Sequence, residues 1–118
     1  MTTNTLGNVY GMERRRYPRV DVRFPVVYRS AHRTVDAYTC NLSQGGLAIS
    51  SPEIDNMGTE CQVSLDLPGS QGPLTLSCRI VWIDVNHETP LIGFSFEELS
   101  REERAMLCNF LLARFQNP

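Results

Sequence analysis

The stretch TVDAYTCNLSQGGLAISS, residues 34 to 51, contains two runs with apolar residues and a short polar segment between them. The first run has the pattern of a β-strand, and Leu47 and Ile49 alternate with smaller residues in the second. The segment between them is rich in serine and glycine, which is typical of a tight turn. The stretch therefore predicts a strand, a turn and a short second strand.

Four further segments alternate apolar and polar residues, and clusters of glycine, proline and asparagine separate them. The first of them includes Pro25, which restricts that strand to a sheet edge or a bulge. Strands at this spacing predict an antiparallel barrel or sandwich. The four segments are VDVRFPVVYRS (residues 20 to 30), CQVSLDLPG (61 to 69), LTLSCRIVWIDV (74 to 85) and LIGFSFEEL (91 to 99).

The end of the chain, SREERAMLCNFLLARF at residues 100 to 115, has helical spacing instead. Ser100 and Glu103 match a capping box, in which each side chain bonds to the backbone N–H of the other residue. We expect one C-terminal helix whose apolar stripe packs against the barrel. The stripe consists of Met106, Leu107, Phe110, Leu111 and Phe115.

The composition is that of a single globular domain. The chain has 118 residues, of which 42% are hydrophobic and 20% charged, and its formal net charge is −2. No apolar run is long enough for a transmembrane helix or a signal peptide, so we expect a cytoplasmic protein without membrane insertion. Residues 1 to 12 lack periodicity and charge, and we expect them to form a flexible N-terminal arm.

The cysteines and histidines give no indication of a metal site or of catalysis. The four cysteines lack the short spacing of a zinc site, and we expect reduced thiols that fill the core, with one disulfide pair as the alternative. His32 and His87 fall in expected loops away from any nucleophile motif, and no Walker loop or paired carboxylates occur. We therefore expect no catalytic residue, no metal, no cofactor and no enzymatic activity. The cysteines are Cys40, Cys61, Cys78 and Cys108.

Positive charge is concentrated just before the first expected strand. All eleven basic residues are arginines, and four of them occur in ERRRYPRV, residues 13 to 20. Pro18 disfavours a helical conformation at the preceding residue, so the segment is extended or turning. Arg15 and Arg19 are spaced as Arg-x-x-x-Arg, and arginine pairs well with phosphate oxygens and with the Hoogsteen edge of guanine. A solvated basic entry to the domain is the alternative interpretation.

The turn segment NLSQGG, residues 41 to 46, carries groups suited to a nucleotide base. The Asn41 amide both donates and accepts hydrogen bonds, and Ser43 adds a hydroxyl. Gly45 and Gly46 offer positive φ and lack a Cβ, which lets a ligand approach the backbone. Asparagine, serine and glycine are also ordinary turn residues, so the segment alone does not distinguish a site from a turn.

Together, Arg-x-x-x-Arg at residues 15 to 19 and Asn-x-Ser-x-x-Gly at 41 to 46 resemble the PilZ domain family. The similarity extends through CRIVWI and IGFSFEELS to the helix, so residues 13 to 118 are expected to form the domain. The resemblance implies a mainly β fold, a six-stranded antiparallel barrel with a C-terminal helix. It also implies a cytoplasmic bacterial receptor for cyclic di-GMP. A second Arg-x-x-x-Arg pair, Arg19 with Arg23, is discounted because Arg23 lies within the first expected strand.

Under this resemblance the two motifs supply the binding residues. Arg15 and Arg19 would grip guanine and phosphate, and Asn41 would hold a guanine edge. Ser43 would hydrogen-bond the ligand, and Gly46, with Gly45 beside it, would allow close approach. Two guanines and two phosphates require forked cations, groups that read a planar edge and a tight glycine turn, and this chain supplies all three.

Two further residues are expected near the ligand. Arg14 directly precedes the Arg-x-x-x-Arg pair, and a cation there would help to hold a second, stacked molecule. We therefore expect two molecules of cyclic di-GMP per chain, since both one and two occur in the family. Trp82 lies where both faces of a strand are apolar, and the helix, a partner or a flat ligand is expected to cover it. A tryptophan buried in the core is the alternative.

Two other functions are alternatives to a nucleotide receptor. Some PilZ-like domains act as adaptors without nucleotide, and small β-barrels can bind RNA. RNA-binding barrels usually carry aromatic residues on a basic sheet face, whereas this chain is acidic with 8% aromatic residues, so no long nucleic acid is expected as partner. A receptor with no second domain has to signal through an effector protein in trans, which the sequence does not identify.

Overall fold

The computed structural model describes residues 18 to 116, which form seven β-strands and one α-helix. The expected arm, residues 1 to 12, and the predicted site residues Arg14 and Arg15 lie outside the described residues. The elements are β1 (Val20–Asp21), β2 (Pro25–Arg29), β3 (Thr34–Leu42), β4 (Gly46–Ser50), β5 (Glu60–Leu65), β6 (Leu74–Asp84), β7 (Leu91–Phe96) and α1 (Arg101–Gln116).

The strands form a closed antiparallel barrel. Their order is β1-β3-β2-β5-β6-β7-β4, and β4 pairs back with β3 to close the circle. β1 and β2 lie end to end along the same edge of β3. β1 pairs with Asn41 and Leu42, the last two residues of β3, and β2 pairs with residues 34 to 38. The six-stranded antiparallel barrel with a C-terminal helix is therefore confirmed, with β1 as one extra short strand.

Alternate residues of the strands point into the barrel and form its core. On β6, Leu76, Cys78 and Ile80 are buried, whereas Thr75 and Ser77 are exposed. This core fixes the register of the sheet, because a slip of one residue would turn a strand's apolar side chains outward. The largest fully buried side chains are Tyr28, Leu42, Leu47, Ile49, Leu65, Leu76, Ile80, Ile92 and Leu107.

The first expected strand is interrupted between β1 and β2. Val22 and Phe24 of the connecting segment still point into the core, and Arg23 between them is exposed. Thr39 of β3 bridges the break, because its buried hydroxyl accepts a hydrogen bond from Phe24 N at 3.1 Å and donates one to Val22 O at 2.9 Å. Pro25 begins β2, a position that tolerates proline. The expectation that Arg23 lies within a strand is therefore wrong.

The helix α1 begins with the expected capping box. Glu103 N donates to Ser100 Oγ at 3.0 Å, and Ser100 N donates to Glu103 Oε1 at 2.8 Å. Its buried stripe is narrower than predicted, because Leu107 and Leu111 are buried while Met106 is exposed. A ring contact adds to this stripe on the barrel side, where Phe110 meets Phe24 edge to face with ring centroids 5.9 Å apart.

A buried polar cluster ties the connection between β4 and β5 to the end of β2. The Asp55 carboxylate accepts hydrogen bonds from the Tyr28 hydroxyl, from Ser30 Oγ at 2.6 Å and from Arg33 Nε at 3.1 Å. Burial alone raises the pKa of Asp55, but the hydrogen bonds from Ser30 and Tyr28 and the charge of Arg33 outweigh it, so the pKa lies below its usual range. The carboxylate is therefore held in its charged form inside the fold.

The four cysteines are all free thiols. Cys61 and Cys78 are buried, and burial raises the pKa of Cys61 to about 12 and that of Cys78 further. Cys40 and Cys108 are only half-buried, so core packing accounts for two of the four. Between residues 18 and 116, no helix has the length and apolar character needed to cross a membrane.

Candidate functional site

The short strand β1 brings the arginine-rich segment beside the turn that follows β3. Val20 pairs with Leu42, and Asp21 pairs with Asn41. Arg19, which directly precedes β1, donates a hydrogen bond from Nη1 to Asn41 Oδ1 at 3.0 Å. The second arginine of the Arg-x-x-x-Arg pair and the first residue of the NLSQGG segment are therefore in direct contact.

Asn41 reaches the outer surface of the barrel because β3 contains a bulge. Thr39 and Asn41 pair with consecutive residues of β4, so Cys40 is one residue more than the ladder needs. Thr39 and Leu42 both point into the core, which leaves Cys40 and Asn41 together on the outer side. β-Bulges re-aim side chains in this way and are over-represented next to functional sites.

A second bulge lies in β6 and turns Trp82 to the same outer surface. Ile80 and Trp82 pair with consecutive residues of β7, so Val81 is the extra residue. Ile80 is buried and Ile83 packs against the core, whereas Val81 is 42% exposed and Trp82 is half-buried. The bulge explains the stretch with two apolar faces, because it shifts the alternation by one residue.

The two bulges face each other across the β4–β7 pair. Asn41 pairs with Ala48, Ala48 with Gly93, and Gly93 with Trp82, so these four residues form one row across the outer surface. The two middle residues are the smallest that a protein chain offers, and both are buried. A Cβ on Gly93 would overlap with the indole of Trp82, so the ring lies directly on the Gly93 backbone. We call these four residues the cross-strand row.

The predicted site residues Ser43, Gly45 and Gly46 form the turn between β3 and β4, at the Asn41 end of this row. Ser43 is 6% exposed, and its hydroxyl accepts a hydrogen bond from Gly45 N at 3.1 Å. Its backbone N–H donates to Gly46 O at 2.9 Å and closes the hairpin. Phe96 N donates to Gly45 O at 2.9 Å, and this hydrogen bond connects the turn to β7. The Ser43 hydroxyl is thus already part of the turn that presents Asn41.

Gly46 is required by the barrel itself. A Cβ there would overlap with the carbonyl oxygen of Phe94 on β7, which is backbone and has no room to move. The expected positive φ is not found at Gly45 or Gly46, because the glycines with positive φ between residues 18 and 116 are Gly58, Gly69 and Gly72. The missing side chain at Gly46 therefore allows two strands to approach closely, and this expectation about φ is corrected.

The charges around the Asn41 end are mixed. Arg19 and Arg23 lie on one side of β3, together with the exposed carboxylate of Asp21. Burial raises the pKa of the Cys40 thiol, the charge of Arg23 opposes this, and that of Asp21 adds to it. Chemically, this surface offers guanidinium donors, an amide that reads an edge, and the flat face of the Trp82 indole. Guanidinium, amide and aromatic groups are the ones with which proteins bind planar anionic ligands.

The histidines lie in loops and belong neither to the cross-strand row nor to the Arg19–Asn41 contact. His32 is exposed near the start of β3, and His87 is exposed in the β6–β7 connection, where its Nε2 lies 3.2 Å from Asp84 Oδ2. Among the residues that the structure describes, no three His, Cys, Asp or Glu side chains are grouped so that they could hold a metal ion.

Sequence reasoning did not identify Ala48 and Gly93 as part of the site. Their small side chains matter only because two bulges aim Asn41 and Trp82 at the same row, and bulges have weak sequence signals. One signal was available, because the loss of alternation at residues 80 to 83 marks the bulge in β6. The sequence offered no comparable signal for the bulge at Cys40.

Comparison with protein families gives a match to the PilZ domain over residues 13 to 113. A search of curated proteins found no match. Among solved structures, the inhibitor of motility MotI/DgrA of Bacillus subtilis is similar with a TM-score of 0.76 and 19% identity, covering 90% of this chain and 53% of that one. YcgR of Escherichia coli in complex with c-di-GMP has a TM-score of 0.72 and 22% identity, covering 87% and 46%.

A third similar structure is the PilZ domain of CeSA from a cellulose-synthesizing bacterium, with a TM-score of 0.63 and 20% identity, covering 81% of this chain and 96% of that domain. This chain spans about half the length of the first two proteins. At these identities the similarity establishes the fold.

Proposed function

This chain belongs to the PilZ domain family, and on that premise we propose that it is a receptor that binds cyclic di-GMP on the outer surface of its barrel. The observation that carries the proposal is the hydrogen bond from Arg19 to Asn41. It joins the two segments whose residues suit guanine and phosphate, although they are 22 positions apart in the chain. The contact sets a guanidinium beside an amide, the pair of groups that both motifs contribute to a guanine or phosphate site.

The corner formed by Arg19 and Asn41 suits a guanine or a phosphate. A guanidinium can bond to both Hoogsteen acceptors of guanine at once, whereas adenine replaces one acceptor with an amino donor. Asn41 Oδ1 already accepts from Arg19, so its amide group is oriented and its N–H donors face away from that bond. We propose that Arg19 and Asn41 read one guanine edge together.

Arg15 and Arg14 complete the proposed site from the segment that precedes β1. Arg15 is four residues before Arg19 in the Arg-x-x-x-Arg motif, and we propose that its guanidinium binds the same ligand. Arg14 would pair with the charge of a second stacked molecule. We therefore retain two molecules per chain as part of the proposal.

The cross-strand row supplies a flat surface for a base. Trp82 is half-buried, lies on the outer side and is separated from Asn41 only by Ala48 and Gly93. Three steps between neighbouring strands span about 14 Å, which is a suitable distance for a dinucleotide to reach from the corner to the ring. We propose that a ligand base contacts Trp82.

Ser43, Gly45 and Gly46 contribute to the proposed site mainly by forming the turn beside Asn41. Because the Ser43 hydroxyl accepts from Gly45 N, removing it would loosen the turn as well as any contact with ligand. The hydroxyl also donates to Gly46 O at 3.4 Å, so its second acceptor site is the one that remains for a donor group of the ligand. That direct bond is part of the proposal.

The proposed receptor is a cytoplasmic binding module rather than an enzyme and signals through an effector protein in trans. YcgR is described in complex with c-di-GMP, and the chain shares its barrel. An adaptor that acts without nucleotide is the second candidate. Titration with cyclic di-GMP distinguishes the two candidates, because an adaptor with intact motif arginines would still not bind the nucleotide.

The test is isothermal titration calorimetry with cyclic di-GMP, with cyclic di-AMP and the linear dinucleotide as competitors. The wild type should prefer cyclic di-GMP, and Arg15→Ala and Arg19→Ala should each weaken binding about 5- to 150-fold, since a bidentate arginine–guanine pair contributes about 1–3 kcal/mol. Arg29→Ala is the matched control, because this exposed arginine on β2 bonds to Ser64 instead. Unchanged affinity in both motif variants would reject the assignment.

A further inference from the structure

A second arginine of the same outer surface is stacked on an exposed aromatic ring. The guanidinium carbon of Arg23 lies 4.1 Å from the centroid of the Tyr38 ring. Arg23 is exposed, and Tyr38 is 46% exposed. The contact is therefore available to a molecule in solvent.

This pair belongs to the same face of β3 as the proposed corner. Tyr38 and Asn41 both lie on the outer side of β3, with the bulge at Cys40 between them. Along the neighbouring edge, Arg19 contacts Asn41 and Arg23 contacts Tyr38. Arg19 and Arg23, four positions apart, thus each contact one outward-facing residue of β3 from the neighbouring segment.

The polar groups of Arg23 are not used up by the protein. Within the described part of the chain, its guanidinium has no hydrogen bond or ion pair, and its contact is the ring of Tyr38. Arg79 is the opposite case, because it donates to Glu60, Glu97 and the carbonyl of Gly58. An arginine held by a ring keeps its N–H groups for a ligand, at a reduced cost in side-chain entropy.

Resting on the proposed function, we propose that Arg23 and Tyr38 form a second base-binding subsite, which stacks a guanine of the bound ligand. Aromatic rings and guanidinium planes are the surfaces on which proteins stack bases. The ligand carries two bases, and the corner at Arg19 and Asn41 reads one edge. The Arg23 N–H groups that extend beyond the ring donate to a phosphate or to the guanine edge.

Stacking and edge recognition predict different consequences. Stacking on a ring is tolerant of base identity, because every base has a π face. The subsite therefore adds affinity, whereas the corner adds the preference for guanine. Loss of Tyr38 should weaken binding of cyclic di-GMP about 5- to 150-fold, the range found for loss of one base-stacking aromatic residue.

The test titrates cyclic di-GMP into the wild type, Tyr38→Ala, Arg23→Ala and the double variant. Each single variant should weaken binding at least 5-fold, and the double variant should be little weaker than the worse single one, because the two residues act as a unit. Tyr38→Phe keeps the ring and should stay within twofold of the wild type. Arg29→Ala again controls for the loss of one exposed arginine, and circular dichroism confirms that each variant is folded.

A second measurement places the base at the ring. In protein labelled with 3-fluorotyrosine, the ¹⁹F signal that is missing from Tyr38→Phe identifies Tyr38, and addition of cyclic di-GMP should shift it. If the wild type binds and Arg19→Ala loses affinity, while Tyr38→Ala and Arg23→Ala stay within twofold and the signal does not move, this inference alone is rejected. No binding by the wild type would reject the proposed function and this inference together.

Discussion

Arg19 Nη1 and Asn41 Oδ1 are hydrogen-bonded at 3.0 Å across 22 positions of the chain. The bond exists because β1, only two residues long, pairs with the last two residues of β3. Each partner fixes the orientation of the other before any ligand arrives. The corner is thus preorganised, which reduces the ordering cost of binding.

This contact predicts that the two residues are energetically coupled. Arg19→Ala and Asn41→Ala should each weaken binding of cyclic di-GMP, and the double variant should lose about 0.5–3 kcal/mol less than the sum. Titration calorimetry measures all four proteins of the cycle. A control cycle of Arg19→Ala with Ser77→Ala, an exposed position on β6, should be additive within about 0.5 kcal/mol.

The same series tests the relative weight of the motif residues. Asn41→Ala and Ser43→Ala remove neutral hydrogen bonds, which are about half as strong as charge-assisted ones. Each should therefore weaken binding less than Arg15→Ala or Arg19→Ala does. An affinity loss at Asn41 larger than that at both arginines would contradict this order.

Gly46→Ala should destabilise the barrel itself. The new Cβ would overlap with the Phe94 carbonyl oxygen, so β4 and β7 would have to separate, at a cost of about 1–3 kcal/mol. Urea unfolding of the ligand-free protein measures this loss. Gln44→Ala, in the same turn, is the control and should stay within about 0.5 kcal/mol of the wild type. A fully stable Gly46→Ala that fails to bind ligand would show that this glycine serves the ligand instead.

Trp82 should report ligand binding through its fluorescence. It is the one tryptophan of the chain and lies half-buried at the end of the cross-strand row, so a stacked base would change its environment directly. Gly93→Ala should alter the spectrum without ligand, because the new methyl group displaces the indole. An unchanged emission at saturating cyclic di-GMP would place the ligand elsewhere on the barrel.

Asp55 should make stability depend on pH. Its pKa is lowered in the folded protein, so its contribution is present above the unfolded pKa and is lost as pH falls through the folded value. Thermal unfolding between about pH 7 and pH 3 should show this loss in the wild type. Asp55→Asn should be less stable at neutral pH and should lose less on acidification. Asp36→Asn, an exposed carboxyl on β3, should retain the wild-type pH dependence.

Arg14 is predicted to set the number of bound molecules. Two stacked molecules of cyclic di-GMP carry four negative charges, and the added cation would pair with the second molecule. Arg14→Leu should lower the calorimetric stoichiometry towards one and leave tight binding of the first molecule. A wild-type titration that saturates at one molecule per chain would exclude this role.

Much of the fold was accessible from the sequence, because each segment had one strong local signal. Strand patterns marked each stretch that forms the barrel, except that β1 and β2 were expected as one strand, and the Ser100 to Glu103 spacing predicted the start of α1. The motif segments, at residues 15 to 19 and 41 to 46, indicated where to look for a site. These signals arise from periodicity and short-range hydrogen bonding, which depend on neighbouring residues.

The features that the sequence did not supply depend on residues distant in the chain. The role of Gly46 follows from the carbonyl of Phe94 on another strand, and the position of Ala48 and Gly93 in the cross-strand row follows from strand register. Arg23 was discounted because a continuous strand was expected, whereas the chain breaks between β1 and β2 and the hydroxyl of Thr39 fills the gap. Such effects require the closed barrel.

The two bulges also bear on chain length. In β3 the inward residues on either side of the bulge are Thr39 and Leu42, and in β6 they are Ile80 and Ile83. Removing Cys40 or Val81 would leave the inward-facing set of each strand unchanged, because the remaining residues alternate regularly. A single-residue deletion at either point is therefore compatible with the core, while it would alter the twist that aims Asn41 or Trp82. The orientation of these outward-facing side chains can therefore change while the fold of the barrel is retained.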